Sequence, residues 1–197
     1  MIFTGPIEIF FKPPSEPPSN DGDCLLFHLR RDLETLYGPE HHHITVSPSH
    51  VLLATMGMLA GVDYLSQVYS PDSSGRKRFV ETLQDVVVGN NHDAEALYQL
   101  RCALMHGIGL STVSDSSYRK GNRFTFELND VSSEPLITKL SDSGTEVSYQ
   151  IGFWALKAGF VRMIDHLSGI CGSTSHPRMA HVINEIGQKH SQKILKK

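Results

Sequence analysis

The chain of 197 residues sets 18 Lys and Arg against 21 Asp and Glu, a net charge of −3, with 40% hydrophobic and 8% aromatic residues. That length buries a continuous core and that composition belongs to a folded domain, which excludes a wholly disordered chain and an overall basic coat for nucleic acid. Cys24, Cys102 and Cys171 stand far apart without a CxxC pair, which points to a reducing cytoplasmic setting rather than to zinc or dithiol redox chemistry.

Met1–Phe11 has no basic stretch and no small-residue cleavage site, so it does not read as a secretory signal. Residues 1–46 read as an extended amino-terminal arm, punctuated by Pro13-Pro14 and Pro17-Pro18 and ending at the His41–His43 tract. Within the arm, Ile7–Phe11 reads as a strand and Cys24–Tyr37 as a second strand or a short helix. The main domain, 47–197, opens with Ser47-Pro48-Ser49 as a helix start, and the apolar run Val51–Val62 stops at Asp63. Those twelve residues fall short of the roughly 20 needed to span a bilayer, so a core helix, apolar on nearly every face to about Tyr69, is expected and no membrane partner.

A second helix is predicted over about Ser74–Val88, stopped by Gly89-Asn90-Asn91. A third follows from an Asn cap, with Ala94, Leu97, Leu100 and Leu104 in steps of three or four and Gly107 as its stop. Over about 112–150, Phe124, Phe126 and Leu128 alternate with polar residues and Ser141–Gly144 marks a turn, which predicts a small antiparallel β insertion. Two more helices are expected, Ile151–Ile170 and about Ser175–Ile194, making the fold mainly α.

The stretch Tyr98–Gly107 places Arg101 and His106, with four residues between them, at the end of an amphipathic helix. It resembles the arginine–histidine signature of the HEPN superfamily, α-helical proteins that include metal-independent RNases and toxins of toxin–antitoxin pairs. The resemblance implies a HEPN-like helical bundle and an endoribonuclease with Arg101 and His106 as catalytic residues, working on RNA as a homodimer without cofactor or metal. It also implies an antitoxin or regulatory protein as a further partner. The chemistry suits the residue types. RNA carries its own nucleophile in the 2′-hydroxyl, so cleavage needs a proton acceptor, a proton donor and positive charge at the phosphate. Histidine exchanges protons near neutral pH and arginine is a fixed fork of donors. Five residues along a helix give about 140° of rotation and about 7.5 Å of rise, so one helix is expected to hold the two apart and a two-fold dimer to gather two of each.

Two residues support the site. Asp63, a carboxylate inside an apolar helix, needs a partner, and Arg101 is the candidate; the alternative is a solvent-facing acid. Cys102 follows Arg101 where many catalytic members have a polar residue, and reads as a small buried hydrophobe or a thiol near positive charge. Cys102, together with Ile108 where some members carry Tyr, favours the alternative function: a non-catalytic HEPN-like RNA- or protein-binding dimerisation module. The plainest alternative for Arg101 and His106 is a helix-end pair that caps carbonyls and makes an ordinary salt bridge.

His41–His43 reads as a solvated loop rather than a metal site. Arg76–Arg78 and Arg119-Lys120 with Arg123 become an RNA track if they converge on the site and are solvated faces otherwise. Residues 1–70 hold 3 basic and 8 acidic residues, net −5, and residues 71–197 hold 15 and 13, net +2. The acidity therefore belongs to the arm and first helix.

Overall fold

The structure is a computed structural model that describes residues 10–13, 25–37, 48–70, 74–107, 109–115, 117–131 and 134–191. The apolar run becomes helix α2, Pro48–Tyr69, preceded by α1, Leu25–Tyr37. Apolar residues surround α2 because neighbours do: α1, α3 (Gly75–Leu83), α4 (Asn91–Gly107), α5 (Phe153–Cys171) and α6 (Met179–Ser191) all touch it. By length and composition α2 would also cross a bilayer, yet 56% of its apolar window is buried inside the fold. Its glycines admit the neighbours. A Cβ at Gly61 would come 2.6 Å from Phe160 of α5 and 2.8 Å from Leu29 of α1.

The amino-terminal region is not extended where it is described. Leu26, Phe27 and Leu33 are buried along α1, and Leu29 rests on Gly57 and Gly61, the spacing of a helix face. Phe10 and Phe11 are buried in a helical turn rather than a strand, and Phe10 stacks on Tyr64 with ring centroids 6.0 Å apart. Ile7–Ile9, Cys24 and His41–His43 lie outside the described residues.

The helix expected over Ser74–Val88 is α3 continued by a π-helical turn, Gln84–Val88. Gly89, at φ 73°, closes it by donating its amide to the Gln84 carbonyl at 2.9 Å, a left-handed stop that favours glycine. The Asn cap of α4 is Asn90: its Oδ1 accepts the Asp93 amide at 2.9 Å and its Nδ2 donates to Asp93 Oδ2 at 2.8 Å.

The insertion comprises β1 (Ser111–Val113), β2 (Arg123–Asn129), β3 (Ile137–Asp142) and β4 (Glu146–Gly152), in the order β1-β2-β4-β3. It is a mixed sheet, not the antiparallel one expected. β1 pairs with β2 and β3 with β4 antiparallel, while β2 and β4 run parallel, Phe124 beside Val147 and Phe126 beside Tyr149. After β2 the chain passes the end of β4 to reach the far edge as β3, then turns back between the two. Gly152 marks the crossing, since a side chain there would strike the Pro135 carbonyl oxygen. Trp154 Nε1 fastens the passing segment by donating to the Asp130 carbonyl at 2.7 Å. Phe124, Phe126, Val147, Tyr149 and Ile151 bury one sheet face, and α4 touches β1 and β2 while α5 touches β4. The last helix begins at Met179 rather than near Ser175. Hydrogen bonds from His176 N to Ser173 O (3.2 Å) and Met179 N to His176 O (3.0 Å) fold the intervening residues into turns around Pro177.

Candidate functional site

Leu97, Leu100, Ala103 and Leu104 bury one face of α4, which leaves Arg101 half-buried and His106 exposed at its carboxyl end. Arg101 Nη2 donates to Asp63 Oδ2 of α2 at 2.8 Å, and Arg101 Nη1 lies 3.2 Å from His106 Nε2. The expected Asp63–Arg101 partnership is present. An arginine offers only donors, so His106 Nε2 is the acceptor of this contact. Three side chains thus form one line, carboxylate to guanidinium to imidazole.

The expectation that one helix keeps Arg101 and His106 apart is corrected here. The rotation and rise describe Cα positions, whereas the long arginine side chain extends along the helix surface and closes the gap. The arginine and histidine meet within one chain, and no second subunit is needed for that contact.

Burial of Arg101 opposes its charge, but the hydrogen bond and charge of Asp63 outweigh it and hold the guanidinium above even its ordinary high range. Burial also pushes the Cys102 thiol up, against the pull of the Tyr98 hydroxyl and of Arg101. Cys102 is thus a half-buried thiol between the Tyr98 hydroxyl and the Arg101 guanidinium. Tyr98 is the neighbour the sequence reasoning missed. It lies one turn before Arg101 and Cys102, packs edge-on to Phe79 at 5.7 Å, and is pushed up to about 12 by burial and by Cys102. Its spacing of three and four residues from Arg101 and Cys102 was the available signal. Ile108 lies outside the described residues.

Three members of the basic clusters, Arg76, Lys77 and Arg119, are engaged by acids. Arg76 makes a two-pronged contact with buried Glu95, its Nε 3.2 Å from Oε2, and Lys77 lies 3.6 Å from Glu81. Arg119 holds Asp142 through both nitrogens at 2.8 and 2.7 Å. Among the described residues no three His, Cys, Asp or Glu side chains are grouped to hold a metal ion. Comparison with family models, curated proteins and solved structures finds no match to this chain.

Proposed function

We propose that the chain is a HEPN-like, metal-independent endoribonuclease of the cytoplasm whose reacting groups are Arg101 and His106, with Asp63 as the residue that positions Arg101. The observation that supports this best is the continuous hydrogen-bonded line, 2.8 Å from Asp63 to Arg101 and 3.2 Å from Arg101 to His106. It sets the imidazole lone pair against a cation whose orientation is fixed from behind.

In the proposed reaction His106 Nε2 takes the 2′-hydroxyl proton, and to do so it gives up Arg101 Nη1. That nitrogen is then free to bind a phosphate oxygen, while Nη2 stays on Asp63. The 2′-oxygen bonds to phosphorus, the bond to the 5′-oxygen breaks, and a proton must reach the departing oxygen. One histidine cannot hold both roles at once, so a second is needed, and a homodimer supplies it. On α2, Leu53, Met56 and Ala60 precede Asp63 in steps of three and four. Leu53 is 62% exposed, so this seam is open up to the site and a second copy seated there brings a second Arg101 and His106. A nuclease of this kind needs restraint, and an antitoxin-like or regulatory protein is the partner class that fits.

Purified protein incubated with an RNA oligonucleotide in excess chelator is expected to yield 2′,3′-cyclic phosphate and 5′-hydroxyl ends. His106→Ala and Arg101→Ala are expected to abolish the products, and unchanged cleavage by either variant overturns the assignment. A second reading has its own support. The guanidinium is satisfied at both ends and the adjacent thiol is half-buried, as in a helix-end staple. That favours a non-catalytic HEPN-like RNA- or protein-binding dimerisation module, and binding without product, insensitive to His106→Ala, selects it.

A further inference from the structure

A second polar cluster gathers around Tyr69, the last residue of α2. The Arg178 guanidinium lies over the Tyr69 ring, 4.1 Å from its centre, and Nη1 reaches the Tyr69 carbonyl at 3.4 Å and Ser70 Oγ at 3.5 Å. The His166 ring of α5 stands 5.7 Å from the Tyr69 ring. The Tyr69 hydroxyl donates to Asp85 Oδ2 of the π turn at 3.3 Å. In the turn before α6, His176 Nδ1 accepts the Arg178 amide at 3.2 Å. Four segments of the fold therefore meet at one aromatic ring, and two of the groups are imidazoles.

His166 is placed to prefer the neutral form, and His176 serves the turn as an acceptor. A backbone N–H only donates, so His176 Nδ1 must carry a lone pair, and a proton there breaks the bond that shapes the turn into α6. His166 faces Tyr69 from α2, Asp85 from the π turn, and His176 and Arg178 from the turn before α6. Asp165 is its neighbour on α5, and His181 and Glu185 lie farther along α6. Glu146, the charged residue of β4, is at the strand end remote from α5. Asp85 is the single acid acting on His166 against two basic groups and partial burial.

We propose that the Ser173–Arg178 turn is a proton-sensitive clasp: it holds α6 to α2 and α5 at neutral pH and releases it in mild acid, when His166 charges beside Arg178. Burial first, then His176 and Arg178, against Asp85, keep His166 below the ordinary histidine range. A histidine with a lower pKa in the fold than in the open chain binds its proton more readily once open. Clasp stability is therefore full above about 6.5, the ordinary value, and is lost as pH falls from there through the folded value. The clasp lies close to the proposed site, because Tyr69 is six residues, about 9 Å along α2, from Asp63.

Hydrogen–deuterium exchange of the full chain between pH 7.5 and 5.5, corrected for intrinsic rates, tests the clasp, with α4 amides as the internal reference. Protection of α6 amides is expected to fall about tenfold for each unit by which the measured His166 pKa lies below 6.5, while α4 keeps its protection. His166→Gln combined with His176→Gln is expected to remove that loss. Parallel loss in α4 and α6, or the same α6 loss in the double variant, overturns the proposal. Ring-proton titration of the unaltered chain gives an independent check, and His166 titrating at or above 6.5 overturns it as well.

Discussion

Asp63 can be separated from Arg101 by substitution, and the structure sets the scale of the effect. At the charge separation of such a pair, about 4 Å, the attraction is about 4 kcal/mol in an effective dielectric near 20, before desolvation is subtracted. The two side chains are 26% and 23% exposed, between the surface pairs worth about 0–1 kcal/mol and the buried pairs whose disruption costs about 3–5 kcal/mol. Asp63→Ala and Arg101→Ala are each expected to destabilise by about 1–2 kcal/mol, with the double variant less destabilised than the sum by about 1 kcal/mol. For a chain of this size 1 kcal/mol is about 2–4 °C in Tm. Urea unfolding followed by the fluorescence of the one tryptophan, Trp154, measures all three variants. Asp63→Asn, which keeps an acceptor and loses the charge, should fall between. Additivity within about 0.3 kcal/mol would show that the 2.8 Å contact does not couple the residues in solution, and would remove Asp63 from the site.

Burial raises Cys171 from 9.0 to about 11, so its thiolate fraction at pH 7.5 is about a hundredfold below that of an ordinary thiol; alkylation as fast in the folded chain as in urea would contradict this. Gly61→Ala pushes a methyl group into Phe160 and Leu29 and should cost about 1–3 kcal/mol by overpacking, measurable by thermal melting, where an unchanged Tm refutes it. Asn90→Ala removes the α4 cap and should cost about 0.5–2 kcal/mol in the same assay. Burial, against the pull of Arg76, holds Glu95 above its ordinary range, so the folded chain keeps this proton longer than the unfolded one. Stability from this group is present below pH 4.5 and lost as pH rises through the folded value. Glu95→Gln should flatten that decline, and equal slopes for the two proteins would refute it.

The helices that carry the site were legible because their signals are local. Steps of three and four and Asn90 fix α4, and Gly89 the stop before it, with no distant partner. Leu26, Phe27 and Leu33 carried the same information for α1, but prolines and polar residues on one side and the histidine tract on the other obscured thirteen residues of helix. The parallel β2–β4 pair was not legible, because it depends on a crossing fixed by contacts such as Trp154 with Asp130, 24 residues apart. The Asp63–Arg101 pair could be read from the cost of an unpaired carboxylate within an apolar helix. Its extension to His106 could not, because helix geometry constrains where the backbone goes and leaves a four-bond side chain free to choose.

The pairings also change what the charge split means. Asp63, an acid of the −5 half, sits on Arg101 of the +2 half, and Arg76, Lys77 and Arg119 are matched by Glu95, Glu81 and Asp142 within the second half. The Asp63–Arg101 pair at the site carries no net charge. A phosphate approaching it meets a guanidinium whose field is largely cancelled by the carboxylate behind it, so long-range attraction is weak and short-range geometry decides binding. On the proposed reading Arg101 Nη1 becomes available to a phosphate oxygen only when His106 releases it. That makes occupation of the site and activation of the base one event. A two-fold seam along Leu53, Met56 and Ala60 would double the donors without adding net charge. Recognition in that arrangement rests on donor placement rather than on a basic track along the RNA backbone, with correspondingly few counterions displaced and a shallow dependence on salt.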